Sequence, residues 1–191
     1  TLSKGQTCGT KQRQFRIMQP GWNGLSAQLL DEPDVSALLL PVETALAEIP
    51  ATVRERVYLT LPRFCADETK VIGWLKQAKQ LGFSHIVCEN VSHLQIGRQL
   101  GLTLHAANPD CLAFLQEESL QDVILSPELT IAQTKTCTGL PVGAYAYGYQ
   151  PVMTMRNCPI QAEVGCKHCT LHLIDRTGRQ FPVYCRRPAG I

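Results

Sequence analysis

Four of the nine cysteines crowd into the 28 residues from 158 to 185: Cys158, Cys166, Cys169 and Cys185. Their spacing is C-x7-C-x2-C-x15-C. The Cys166-x2-Cys169 step is a tight turn that can aim two sulfurs at one centre, with the outer two supplied by flanking segments. Four thiolates suit Zn²⁺ or an iron–sulfur cluster, because both take soft ligands. Zinc ribbons carry two CxxC knuckles, whereas this chain has one plus two singletons. That, with the Cys158-Pro159 step, favours a 4Fe–4S cluster, with structural zinc as the alternative. Cys88 and Cys111 fall on apolar faces and read as small buried hydrophobes. Cys65, at a strand end, is a thiol that a peptidase mechanism could use as nucleophile.

A second set of polar residues follows apolar runs along the first 150 residues. Arg63 follows Leu61-Pro62, and Glu89-Asn90 follow His85 to Cys88. His105 and Asn108 follow Leu102 to Leu104, Glu128 follows Ile124 to Pro127, and Tyr149-Gln150 end the last run. In parallel β/α folds, functional groups collect past the carboxyl ends of the strands. Arg63, Glu89, His105 and Glu128 are therefore the candidate catalytic set. Asn90 and Asn108 also read as helix caps, and Glu128 as a first-turn residue favoured by the helix dipole. The sequence contains no H-E-x-x-H, G-x-S-x-G, P-loop or G-x-G-x-x-G pattern.

The elements that must hold these residues recur regularly. Strand-like runs occur at 14–18, 37–40, 57–61, 85–88, 102–105, 122–125 and 142–149. Most are continuously apolar, as strands covered on both faces are. Asp67 caps a helix that carries Val71, Leu75 and Ala78 on one face and stops at Gly82. Asn108-Pro109 opens another with Leu112 and Leu115 inward, and Asn90 a third with Val91 and Leu94. The expectation is an α/β fold, a partial or complete β/α (TIM-like) barrel over residues 1–150. A C-terminal cysteine-rich basic lobe comes after it, over residues 151–191.

Composition narrows the class. The 191 residues are 45% hydrophobic and 18% charged, which is ordinary for a globular protein. The longest apolar run, Ala37 to Val42, is far short of the roughly 18–20 residues of a membrane span. No charged-then-apolar leader opens the chain, and its start at Thr1 reads as a piece of something longer. The expected setting is the reducing cytoplasm, with no membrane partner. Residues 1–149 hold 12 Lys/Arg against 14 Asp/Glu, a net of −2; residues 150–191 hold 6 against 2, a net of +4. A basic tail bearing Arg186 and Arg187, with Tyr149 nearby in sequence, is an electrostatic and stacking footprint for an anionic partner such as RNA.

The stretch Tyr147-Gly148-Tyr149-Gln150-Pro151-Val152-Met153, then Arg156-Asn157-Cys158-Pro159, Gly165-Cys166, Cys169, Leu173 to Arg176 and Phe181-Pro182-Val183 resembles the signature of peptidase family U32, the collagenase-like proteases. Leu61-Pro62-Arg63, Glu89-Asn90 and Leu125 to Leu129 agree with it. The resemblance spans about residues 35–187, and looks like the C-terminal half of a long member. It implies a barrel-like fold and an iron–sulfur cluster on Cys158, Cys166 and Cys169, with Cys185 as the fourth ligand. It also implies an oxygen-independent hydroxylase acting on ribosomal or transfer RNA bases. The alternatives are a collagenase-like peptidase and a non-enzymatic domain with structural zinc. The upstream half of the polypeptide is the expected partner. One departure is at Leu104 to Asn108, where His105 stands in place of a family asparagine.

Overall fold

A computed structural model describes residues 14–65, 67–155 and 157–185. The chain divides into two compact units, Thr1–Ala146 and Tyr147–Ile191.

Seven parallel strands make the sheet of the first unit: β1 (Phe15–Met18), β2 (Val35–Pro41), β3 (Val57–Thr60), β4 (His85–Cys88), β5 (Gln99–Leu100), β6 (Asp122–Ile124) and β7 (Val142–Gly143). They lie side by side in chain order. A doubly wound sheet would reverse that order at a switch point. The sheet is also curled. Arg16 on β1 donates to both carboxylate oxygens of Asp122 on β6 at 2.8 and 2.9 Å. Five strand intervals of about 4.8 Å would hold β1 and β6 about 24 Å apart in a flat sheet, beyond the reach of two side chains. The first unit is thus a half-barrel.

Apolar burial explains the strands. Along β2, Leu38 and Leu40 are fully buried and Leu39 nearly so, hence both faces of the strand are covered. One core joins β2 and β3, through Leu38, Leu40, Val57 and Leu59, to α1 (Gly24–Asp31) and α2 (Glu68–Gln80) through Leu30, Val71 and Ala78. A second joins Leu100 and Val123 to Leu112 and Leu115 of α3 (Pro109–Glu117). A short helix, α4 (Ile131–Thr134), lies between β6 and β7. The caps form as their residue types require: Asp67 accepts from Lys70 N at 3.2 Å, and Asn108 from Cys111 N at 2.8 Å.

A polar layer crosses the inside of the curl at the strand starts. The Arg16 guanidinium lies 4.6 Å from the Tyr58 ring centroid, and Tyr58 stacks on His85 at 4.3 Å. Gln99 Nε2 lies 3.4 Å from His85 Nδ1 and donates to Gln121 Oε1 at 3.0 Å.

Three sequence expectations change here. The run 102–105 is not a strand: Leu102–Leu104 is a 3-10 turn, and the fifth strand is Gln99–Leu100 just before it. Gly101 N donates to Cys88 O at 2.8 Å as the last bond of the β4–β5 ladder, and the next residues turn across the carboxyl end of β4, where Thr103 meets Glu89. The run 142–149 contributes only Val142–Gly143 to the sheet. Asn90 does cap, but it opens a 3-10 segment, Val91–Gln95, in place of an α-helix.

The second unit holds α5 (Pro159–Glu163), a 3-10 turn at Cys166–His168, and an antiparallel hairpin of β8 (His172–Ile174) and β9 (Gln180–Pro182). Asp175 shapes the hairpin turn by accepting from Thr177 N, Thr177 Oγ1 and Arg179 N at 2.8, 2.6 and 2.9 Å. Ile160 is the one buried side chain among the described residues of this unit.

Candidate functional site

Glu89 is the first residue past β4 and is buried, 8% exposed. Strand alternation from His85 through Val87 turns its side chain to the same face of the sheet as theirs. Thr103 holds it: Thr103 Oγ1 lies 2.5 Å from Glu89 Oε2 and 2.6 Å from the Glu89 carbonyl oxygen, and Thr103 N donates to Oε2 at 3.3 Å. Gly101 makes this approach possible, because a Cβ there would overlap the Glu89 carboxyl group. Burial pushes the Glu89 carboxyl above the usual range, against the opposing pull of its Thr103 hydrogen bonds and of the Arg63 charge.

The flanks of Glu89 are neutral. Its N–H donates to His93 Nδ1 at 3.2 Å, and burial lowers the His93 pKa. The Cys88 thiol donates to the His93 carbonyl at 3.2 Å and is pushed up by burial to about 11, so it is a packed thiol and not a nucleophile.

Arg63, half-buried in the segment after β3, is close enough to act electrostatically on Glu89. Its carbonyl accepts from Asn90 Nδ2 at 3.1 Å, which ties the loops after β3 and β4 together. Asn90 Oδ1 accepts from Ser92 N at 3.1 Å, so this residue is used as a cap and a loop tie. Arg63 and Glu89 are therefore brought together.

His105 and Glu128 sit differently. His105 is exposed and left-handed, with φ of 49°, at the end of the 3-10 turn rather than of a strand. Glu128 is exposed, and its N–H donates to Ser126 Oγ at 3.3 Å. Thr103 and Gly101 are the residues that sequence reasoning missed. Placing 102–105 in a strand hid them, although a glycine directly before the apolar run, at Gly101, is a signal that could have marked a turn.

In the second unit, Cys158 is half-buried at the start of α5, Cys169 is half-buried at the end of the 3-10 turn, and Cys166 and Cys185 are exposed. Cys169 N donates to Cys166 O at 3.3 Å, so one turn carries the CxxC pair. The four thiols fit a soft centre in donor chemistry. Among the described residues, no three His, Cys, Asp or Glu side chains converge on a common metal position. The fit lies in the donor set and the single turn, not in a gathered quartet. Tyr149 is 79% exposed and Tyr147 97%. Arg186 and Arg187 lie outside the described residues.

No helix among the described residues is long and apolar enough to cross a membrane. Comparison with protein families, curated proteins and solved structures finds no match to this chain.

Proposed function

We propose that this chain is part of an iron–sulfur-dependent enzyme related to peptidase family U32 that hydroxylates RNA bases in the cytoplasm. The half-barrel is read as a partial β/α barrel of TIM type, with the upstream half of the polypeptide as its partner. The observation that carries the reading is the thiol set of the second unit, with Cys166 and Cys169 on one turn. Every described cysteine is a free thiol, as ligands and a reducing compartment both require. Cys158, Cys166, Cys169 and Cys185 would hold the cluster, which supplies one-electron chemistry that side chains cannot. Arg63 and Glu89 would orient the base, and the exposed rings of Tyr147 and Tyr149 would stack on unpaired bases. Arg186 and Arg187 would meet phosphate.

Iron, sulfide and visible absorption of the anaerobically prepared full-length protein test this reading. Matching iron and sulfide contents are expected. About one zinc per chain and no iron would replace it with the structural-zinc reading. Arg186→Ala with Arg187→Ala should weaken RNA binding and flatten its salt dependence; an unchanged slope counts against the footprint. The peptidase alternative requires peptide cleavage that a thiol alkylator abolishes.

A further inference from the structure

Thr103 Oγ1 makes two short oxygen contacts, 2.5 Å to Glu89 Oε2 and 2.6 Å to the Glu89 carbonyl oxygen. A threonine hydroxyl owns one proton and can donate it to only one of them. The other contact is as short as a hydrogen bond and so needs a proton from its far side. A carbonyl oxygen has none to give. A carboxylic acid has one. The arrangement is satisfied when the Glu89 acid donates to Thr103 Oγ1 and Thr103 donates to the main-chain carbonyl.

The surroundings agree. Glu89 is 8% exposed, and Gly101 brings backbone, without a side chain, against the carboxyl. Burial is the largest influence on the group and favours its neutral form. Of the titratable groups around it, Cys88 and His93 are buried and neutral, which leaves Arg63 from the loop after β3 as the charge that acts on it. Among the described ion pairs, none joins Arg63 to Glu89.

We propose that Glu89 stands in this site as a neutral carboxylic acid, oriented by Thr103 against Gly101, and offers a hydrogen bond to an acceptor edge of a bound nucleobase. The choice of a nucleobase rests on the RNA reading above; the protonation does not. Carbonyl oxygens and ring nitrogens of bases accept, and an ionised carboxylate cannot donate to them. When an acceptor meets Oε1, the acid proton sits on Oε1, Thr103 turns its own proton to Oε2, and the Thr103 contact with the main-chain carbonyl, no longer bridged by a proton, lengthens. No proton is gained or lost.

The test tracks the side-chain carboxyl carbon of Glu89 by ¹³C NMR in the full-length protein, assigned by its loss in Glu89→Gln and independently by its shift in Thr103→Val. The expected signal stays at the protonated position well above the ordinary glutamate pKa of about 4.3. Ionisation of Glu89 in that ordinary range overturns the proposal, whatever RNA does. A single-stranded RNA arm tests the ligand separately. Glu89→Gln, which keeps a donor, should hold affinity within about twofold, and Glu89→Ala should lower it about tenfold. A neutral Glu89 with RNA affinity unmoved in both variants removes the nucleobase and leaves the neutral acid standing.

Discussion

Arg16 and Asp122 meet through two parallel N–H···O bonds of 2.8 and 2.9 Å, although β1 and β6 stand five places apart in the sheet. The pair is the polar tie across the curl. The hydrogen bond to Asp122 is the main reason that Arg16 holds its proton more tightly than a free arginine. Its side chains are 31% and 15% exposed, so solvent screens it only in part.

Replacing either partner should therefore cost more than an ordinary surface pair. Arg16→Met or Asp122→Asn should each lower unfolding stability by about 1–2 kcal/mol, reduced from the usual range for charged hydrogen bonds by that partial exposure. A double-mutant cycle measured by urea unfolding should show positive coupling. Additive single effects would mean that the two side chains do not sustain the curl together.

The core should respond by volume. Leu59 is fully buried between the sheet and its helices, so Leu59→Ala should cost about 2–5 kcal/mol. Phe64, 64% exposed, should change by roughly 0.5 kcal/mol or less on truncation. Denaturant midpoints compare the two.

His85 links the polar layer to pH. Burial lowers its pKa, ahead of the opposing pull of Asp122, so the folded state favours neutral imidazole. A depressed folded pKa contributes stability that is present above the unfolded value, about 6.5, and is lost as pH falls through the folded value. His85→Phe keeps the stack on Tyr58 and removes the titration. Its melting temperature should fall less than that of the wild type between pH 7 and pH 5. Equal slopes would assign the acid sensitivity elsewhere, with His93, also lowered by burial, as the next group to replace.

If its thiols hold the proposed centre, the second unit should depend on that centre for order. Among its described residues only Ile160 is buried, and its one sheet is a two-stranded hairpin with every strand residue exposed. A lone hairpin is marginal in water, and small units without a core rely on metals or disulfides. Loading the centre should protect residues 147–185 from limited proteolysis, and chelation should expose them. Cys166→Ser with Cys169→Ser should remove that protection while the first unit stays resistant. Equal cleavage with and without metal would show that bound metal does not order this unit.

Much of the first unit is legible in sequence because its signals are local. Continuous apolar runs mark β2, β3 and β4, and the cap residues Asp67, Asn90 and Asn108 each accept the backbone bond that their types suggest. The fifth strand is displaced from its expected position because Gln99–Leu100 is two residues long, too short for any period, while Leu102 to His105 has the composition of a strand. β8 and β9 offer no apolar alternation to detect, since both faces of the hairpin are exposed.

Of the candidate site, sequence alone determined the chemical inventory. It named Arg63 and Glu89 past the strand ends, and the thiol spacing of the tail. Only the tertiary structure decided which groups meet. It set Thr103 and Gly101 against Glu89, left His105 and Glu128 exposed, and bonded Arg16 to a carboxylate 106 residues away. The physical reason is that caps and apolar periods are fixed within a few residues of backbone geometry. Sheet curl and the desolvation of a carboxyl are sums over segments far apart in the chain.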